Sequence, residues 1–361
     1  MRRWGRAVVL LVSSLAFTSI AFSPARAASL DGAPQIAGLQ FDTPSVSVSG
    51  LNVATVHVSV QLKDQDGVDE IGDSGSFLPT PLLAVEHVVR TPLVGDRQLV
   101  FLSLSSGTIY DGWWQGDVYL SSPYNGQLRV AEVEAYDKQG NLLKADPASS
   151  GFDPRLTVNG TDIPRLSAGF APSPVLYGNN VAFKGRLIHG DTGAPWPGIS
   201  ITILAPALDT CCSVVKKVST DSQGYWGTTF SSEQLPEFVG AAVTYPASDS
   251  FDKNFFVASA WRLPRVWWRV WATLTSSRIR LGSTTTVYGS VAPTLSTDAY
   301  LQRLVSGVWK TVAVTHAHSS GRFYLTAHPP SRGYHRYRVL IPPQNGVFIA
   351  TATKTMTLYV Y

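Results

Sequence analysis

The sequence predicts an all-β protein built of consecutive sandwich-type domains, and three observations carry that expectation. Period-two alternation of apolar and polar residues dominates, Gly, Asn and Pro turn signals punctuate the runs, and no stretch of ten or more residues has helical spacing. The chain has 361 residues, 44% of them hydrophobic, 11% aromatic and 15% charged, with 30 Gly and 23 Pro. That length suffices for two or three cores, and low charge with ample aromatics excludes a disordered or coiled-coil chain.

The first segment reads as an export leader. Arg2, Arg3 and Arg6 precede the apolar run from Ala7 to Phe22, and Ala25-Arg26-Ala27 offers a small-x-small cleavage site, so residues 1–27 are expected to be a signal peptide. The run is short for a membrane anchor and is broken by Ser13, Ser14, Thr18 and Ser19. No second long apolar run follows, so the expected mature chain is secreted and has no transmembrane segment. Removing the four leader arginines changes the charge from +4 to balance, with 25 basic and 25 acidic residues. The balance is uneven. Residues 28–160 carry 16 acids and 7 bases, whereas residues 262–361 carry 12 bases and the single acid Asp298. Export and overall neutrality argue against a nucleic-acid partner.

Along the chain, Val46, Val48 and Val53 open the strand pattern, and Val56, Val58, Val60 and Leu62 continue it on one face. Similar runs cover Leu128–Tyr136, Val181–Leu187, Ile199–Leu204, Val312–Val314 and Tyr337–Ile341, separated by turns such as Asp66-Gly67, Asn125-Gly126, Gln223-Gly224 and Asn345-Gly346. The expected organisation is an acidic domain over 34–158, a Pro-rich linker over 159–174, a middle sandwich over 175–261 and a basic domain over 265–361. An internal repeat links the last two. Tyr177-Gly178 through Phe183-Lys-Gly185 matches Leu281-Gly282 through Val287-Tyr-Gly289 at an offset of 104, and Gly224-Tyr-Trp226 matches Gly321-Arg-Phe323 at an offset of 97.

These segments resemble known modules. Val287-Tyr-Gly-Ser-Val291, Tyr300-Leu-Gln-Arg303, Trp309-Lys-Thr-Val312 and Ser320-Gly-Arg-Phe323 resemble the Ig-like repeats of secreted Gram-positive bacterial proteins. Phe183-Lys-Gly-Arg-Leu187, Gly193 to Ile201 and Thr220 to Trp226 are similar to carboxypeptidase-regulatory-like, transthyretin-type sandwiches. The first domain, through Asp64-Gln-Asp-Gly-Val68 and Asp111-Gly-Trp-Trp114, looks like another bacterial Ig-like module. The resemblance implies three tandem sandwiches and no catalytic residues; such modules serve as spacers, stalks, sugar binders and enzyme appendages, so the fold leaves function open.

Asp64, Asp66, Asp69, Glu70 and Asp73 crowd one turn, and a second acidic turn starts at Asp137. Clustered carboxylates on loops suit Ca²⁺, which takes six to eight oxygens; Asp64, Asp66, Asp69 and Asp137 are the candidate ligands. The alternative is a solvated acidic hairpin whose Asp66-Gly67 makes the turn. Cys211 and Cys212 are adjacent, and in an exported protein they read as a vicinal disulfide, an intermolecular bridge or a reduced pair. His316 and His318 share one strand face at a spacing a metal could use, but they precede the Ser319-Ser320-Gly321 turn, where an exposed polar surface is the ordinary reading. No nucleophile elbow, Cys-His signature, zincin motif or phosphate loop is present.

The run Val266-Trp-Trp-Arg-Val-Trp271 alternates so that Trp267, Arg269 and Trp271 face one way and Trp268 and Val270 the other. With Arg278, Arg280, Arg303, Arg336 and Arg338 they form the candidate ligand surface, suited to anionic cell-wall polymer or glycan through stacking and charge. The competing use of these tryptophans is to seal the junction between the last two domains. The expected function is that of a non-enzymatic extracellular or cell-surface binding and spacing module, without cofactor unless Ca²⁺ binds. The alternatives are self-association of acidic and basic domains, another extracellular protein as partner, and an extracellular enzyme with its site around Asp111, Trp113 and Trp114.

Overall fold

The structure is a computed structural model that describes residues 32–70, 81–88, 97–205, 213–235, 238–245 and 255–361. The expected leader, Asp73, Cys211 and Cys212 lie outside them. The described residues form β-strands joined by turns and two short 3₁₀ segments, with no α-helix.

The N-terminal unit packs two sheets. One runs in the order Gln35–Phe41, Val53–Lys63, Asp111–Ser121, Ser103–Gly107; the other runs Ser45–Ser49, Arg155–Thr161, Gly126–Tyr136, Leu82–His87, Arg97–Phe101. Val56, Val58, Val60 and Leu62 point into the core as their alternation requires, all essentially buried. Each such side chain contributes about 1.5–3 kcal/mol of transfer free energy, so a one-residue slip in register would expose the whole set.

The middle and C-terminal units each have one sheet centred on a repeated strand. In the middle unit, Asn180–Ile188 lies between Gly169–Ala171 and Tyr225–Ser231; the opposing sheet runs Ser213–Ser219, Ser200–Ala205, Val239–Tyr245, Phe255–Arg262. In the C-terminal unit, Thr285–Ala292 lies between Arg269–Leu274 and Arg322–Ala327; the opposing sheet runs Arg278–Ile279, Met356–Val360, Gly333–Ile341, Asp298–Val305, Val308–His316.

The repeat holds to the residue. Gly185 pairs with Trp226, and Gly289 pairs with Phe323. The aromatic ring lies across the glycine in both copies: a Cβ on Gly185 would come within 2.7 Å of the Trp226 ring, and one on Gly289 within 2.6 Å of the Phe323 ring. The turn before each aromatic strand uses Gly224 at φ +78° or Gly321 at φ +76°, a conformation that only glycine adopts without strain.

The segment 159–174, whose prolines read as an extended linker or entry strand, contributes short strands to two units. Asn159 to Thr161 complete a strand of the N-terminal unit, and Arg165–Leu166 and Gly169–Ala171 pair with Asn180–Ile188 of the middle unit. Its prolines, Pro164, Pro172 and Pro174, lie just outside these short strands, where a missing N–H costs no ladder bond. The middle and C-terminal units share a small parallel sheet of Val175–Leu176, Val266–Trp267 and Phe348–Ile349. Val175, Val181, Val266 and Val347 bury together beneath it.

Candidate functional site

Alternation on the sheet centred on Thr285–Ala292 sends Val287, Phe323, Leu325 and Ala327 into the core and a different set outward. The register sets that outer face in two rows, Trp271–Ser290–Arg322 and Thr273–Tyr288–Tyr324. Trp271 is 51% exposed, Tyr324 53% and Tyr288 37%. The Trp271 and Tyr288 rings meet edge-on with centroids 5.9 Å apart, and His318 meets Tyr324 at 6.2 Å. The water-facing side of an antiparallel sheet ordinarily carries polar residues. Three large aromatics on one such face leave apolar surface that a ligand can cover.

These two rows hold one cation, Arg322. Arg322 makes no ion pair among the described residues, and the one acid of residues 262–361, Asp298, accepts from the His316 ring at 2.9 Å. Ser296 Oγ engages the other nitrogen of that ring at 3.2 Å. His316 is thereby tied to its own turn.

The eight residues expected to share one ligand surface divide among several places. Trp267, Arg269 and Trp271 do face the same way, with Trp268 fully buried between them, as alternation predicts. Trp267, however, sits in the junction sheet, and Arg269 reaches back to the middle unit, donating from Nε to the Tyr177 carbonyl (2.8 Å) and from Nη2 to Asn179 Oδ1 (3.1 Å). Arg278, Arg336 and Arg338 belong to the opposing sheet. Arg278 stacks on Tyr359 and Tyr361 at 5.4 and 5.1 Å, and Arg338 lies 4.5 Å over Trp309 while donating to Gln302. Arg303 faces Tyr337 across its strand pair; burial raises the pKa of that phenol while Arg303 draws it down. Arg280 is exposed just beyond Arg278–Ile279. Two sheets packed face to face turn their outer sides in opposite directions, so a charge excess counted along the chain does not become one patch.

The two acidic turns do come together. Val68 bridges to Asp137, the Asp69 N–H donates to the Tyr136 carbonyl at 2.8 Å, and Lys138 N–H to the Gly67 carbonyl at 2.9 Å. Asp64 and Asp137 are buried there. Asp64 Oδ1 accepts from the Asp66 and Gly67 N–H groups, and Asp137 Oδ1 accepts from those of Gln139 and Asn141. The carboxylates therefore satisfy the backbone N–H groups of their own turns. Among the described residues, the group whose three ligand atoms lie within 4.8 Å of one another is Asp162, His189 and Asp191, at the junction of the first two units. His189 Nδ1 lies 2.6 Å from Asp162 Oδ2, and its ring sits 3.8 Å from that of Trp196. Burial pushes the Asp162 carboxyl up, but hydrogen bonds from His189 and within the cluster outweigh this and hold it below its ordinary value.

In the N-terminal unit, Asp111 bonds to Lys63 (2.9 Å) and Gln61 (2.7 Å), and these hold its pKa down. Trp114 is in the core and Trp113 lies against Gly38. Tyr288 and Tyr324 are the functional candidates that sequence reading missed; the signal was present in the repeat, whose alternation turns both outward once Val287 and Phe323 are assigned to the core.

No protein-family model matches the chain, and no curated protein sequence matches it. Among solved structures it is similar to a 1.5-MDa bacterial ice-binding adhesin involved in host cell surface retention (11% identity over 90% of this chain and 96% of that one, TM-score 0.23). It is also similar to the I67–I69 fragment of titin (10% identity, 91% and 98% coverage, TM-score 0.26) and to the Yersinia pseudotuberculosis adhesin InvE (11%, 54% and 58%, TM-score 0.25). At these values the likeness is one of all-β layout alone.

Proposed function

We propose that this protein is a secreted, non-enzymatic binding and spacing module that holds an anionic glycan, such as a cell-wall polymer, on the aromatic outer face of its C-terminal unit. The observation that carries the reading is the cluster of Trp271, Tyr288 and Tyr324, from two adjacent rows of one open sheet face, beside Arg322. Aromatic faces stack on the C–H surfaces of sugar rings, and guanidinium groups grip the oxyanions. The acidic N-terminal unit, joined through a structured junction, gives the chain a pole that the same polymer repels.

The test is sedimentation of the protein with purified anionic cell-wall polymer and with a neutral polysaccharide of similar length. Retention on the anionic polymer is expected to fall steeply with salt, since exposed charges are screened over about 10 Å at 0.1 M. Trp271→Ala combined with Tyr324→Ala is expected to weaken retention at every salt concentration. Equal binding to both polymers, or no effect of the double variant, would overturn the reading.

A further inference from the structure

The corresponding face of the middle unit is hollow where the C-terminal one is filled. The repeat aligns Lys184 with Tyr288, Arg186 with Ser290, Tyr225 with Arg322 and Gly227 with Tyr324, and the pairing agrees: Lys184 opposes Gly227 as Tyr288 opposes Tyr324, and Arg186 opposes Tyr225 as Ser290 opposes Arg322. Lys184 also opposes Gly169 on its other side. Its ammonium thus stands on a sheet with glycine on both flanks, next to a hollow of about 520 Å³ whose lining includes Ser167, Gly169, Lys184, Arg186 and Tyr225.

The cations around this hollow are poised for a ligand. Arg186 is oriented in advance, with Nε donating to the Gln223 carbonyl at 2.8 Å and the guanidinium 5.0 Å from the centre of the Tyr225 ring. Neither Lys184 nor Arg186 has an ion pair among the described residues, and Tyr225 is 54% exposed. A guanidinium already fixed by its neighbours loses little freedom on binding. The volume falls within the roughly 300–1,000 Å³ of small-molecule sites and far exceeds what an inorganic oxyanion fills. Phe170 and Ala171 add apolar lining.

We propose that this hollow binds one anionic sugar residue, its oxyanion held by Lys184 and Arg186 and its ring lodged in the space that Gly169 leaves open. The site is separate from the aromatic face of the C-terminal unit and stands or falls without it.

The test is calorimetric titration of the full chain carrying Trp271→Ala and Tyr324→Ala, so that the C-terminal face contributes nothing, with trigalacturonate, with neutral trigalactose and with sodium sulfate. Trigalacturonate is expected to bind about tenfold or more tighter than trigalactose, and Lys184→Ala with Arg186→Ala to remove that difference. Gly169→Phe keeps both cations but fills the hollow; a Cβ there meets nothing within 4 Å, so the variant should fold and still lose trigalacturonate binding. Unchanged binding in the Lys184/Arg186 variant, or in a Gly169→Phe variant with wild-type circular dichroism and Tm, would overturn the proposal. So would sulfate alone competing as well as trigalacturonate, because the hollow would then add nothing to a surface charge. Loss of trigalacturonate binding on introducing Trp271→Ala and Tyr324→Ala alone would place the ligand on the C-terminal face and also overturn it.

Discussion

The middle and C-terminal units share a backbone plan and differ in what they place on it. Both bury an aromatic ring across a glycine, Trp226 over Gly185 in one and Phe323 over Gly289 in the other, and both turn on a left-handed glycine just before that aromatic strand. Their outer faces have diverged. One carries Lys184, Arg186 and Tyr225 around glycines, and the other Trp271, Tyr288 and Tyr324 beside Arg322. Positions that hold the sheets together are constrained by steric contact; positions that face water are free to change chemistry. Where two copies keep the first set and vary the second, the varied face is where function is to be sought.

The largest effect expected from testing this comparison comes from the shared glycines. A Cβ on Gly185 would lie 1.7 Å from the Ser167 carbonyl oxygen, and one on Gly289 2.1 Å from that of Trp271. Gly185→Ala and Gly289→Ala should each cost more than about 4 kcal/mol or prevent folding, by urea denaturation. Tolerance of either would show that the close approach is not what holds that copy. Next come the rings themselves: Trp226→Ala and Phe323→Ala should each lose about 3–5 kcal/mol, with Phe323→Ala leaving the wholly buried cavity.

Changes at Trp271, Tyr288 and Tyr324 should leave Tm nearly unmoved and alter binding. Tyr324→Ala alone should weaken binding of the anionic polymer by about two- to tenfold, the 0.5–1.5 kcal/mol range of a single aromatic contact. Arg269→Ala removes two hydrogen bonds that join the last two units and should cost about 1 kcal/mol, read as a lower Tm with little change in affinity.

The smallest effect concerns the other junction. Asp162 has a folded pKa below its ordinary value, so its contribution to stability is fully present above about pH 4 and disappears as pH falls through the lower folded value. Asp162→Asn should remove that acid-range slope from the Tm profile while leaving the neutral range nearly parallel to wild type.

Much of this was legible before any coordinates. Alternation placed Val56, Val58, Val60 and Leu62 in the core and separated Trp268 from Trp267 and Trp271, because side-chain direction in a strand follows from parity alone. The repeat, read as an offset of 104 and then 97, matched Gly185 with Gly289 and Trp226 with Phe323, while the pairing of each glycine with its aromatic came from the strand register. Less of the candidate site could be read. The arginines of residues 262–361 looked like one group in sequence, yet Arg278 and Arg338 stack on one sheet and Arg269 is occupied at a junction. The acidic turns at Asp64 and Asp137 were legible as a candidate Ca²⁺ shell or a solvated hairpin; that they meet, and that each carboxylate accepts from backbone N–H groups of its own turn, follows from the fold.

The sequence by itself determined which residues lie inside each strand and which lie outside, since two-residue periodicity and glycine sterics are local. Tertiary structure decided which outward residues share a face, because that depends on the sheet each strand joins. Antiparallel pairing with a neighbouring strand brought Trp271 beside Tyr288, made 165–171 the edge of the sheet on Asn180–Ile188, and left the space next to Lys184 open.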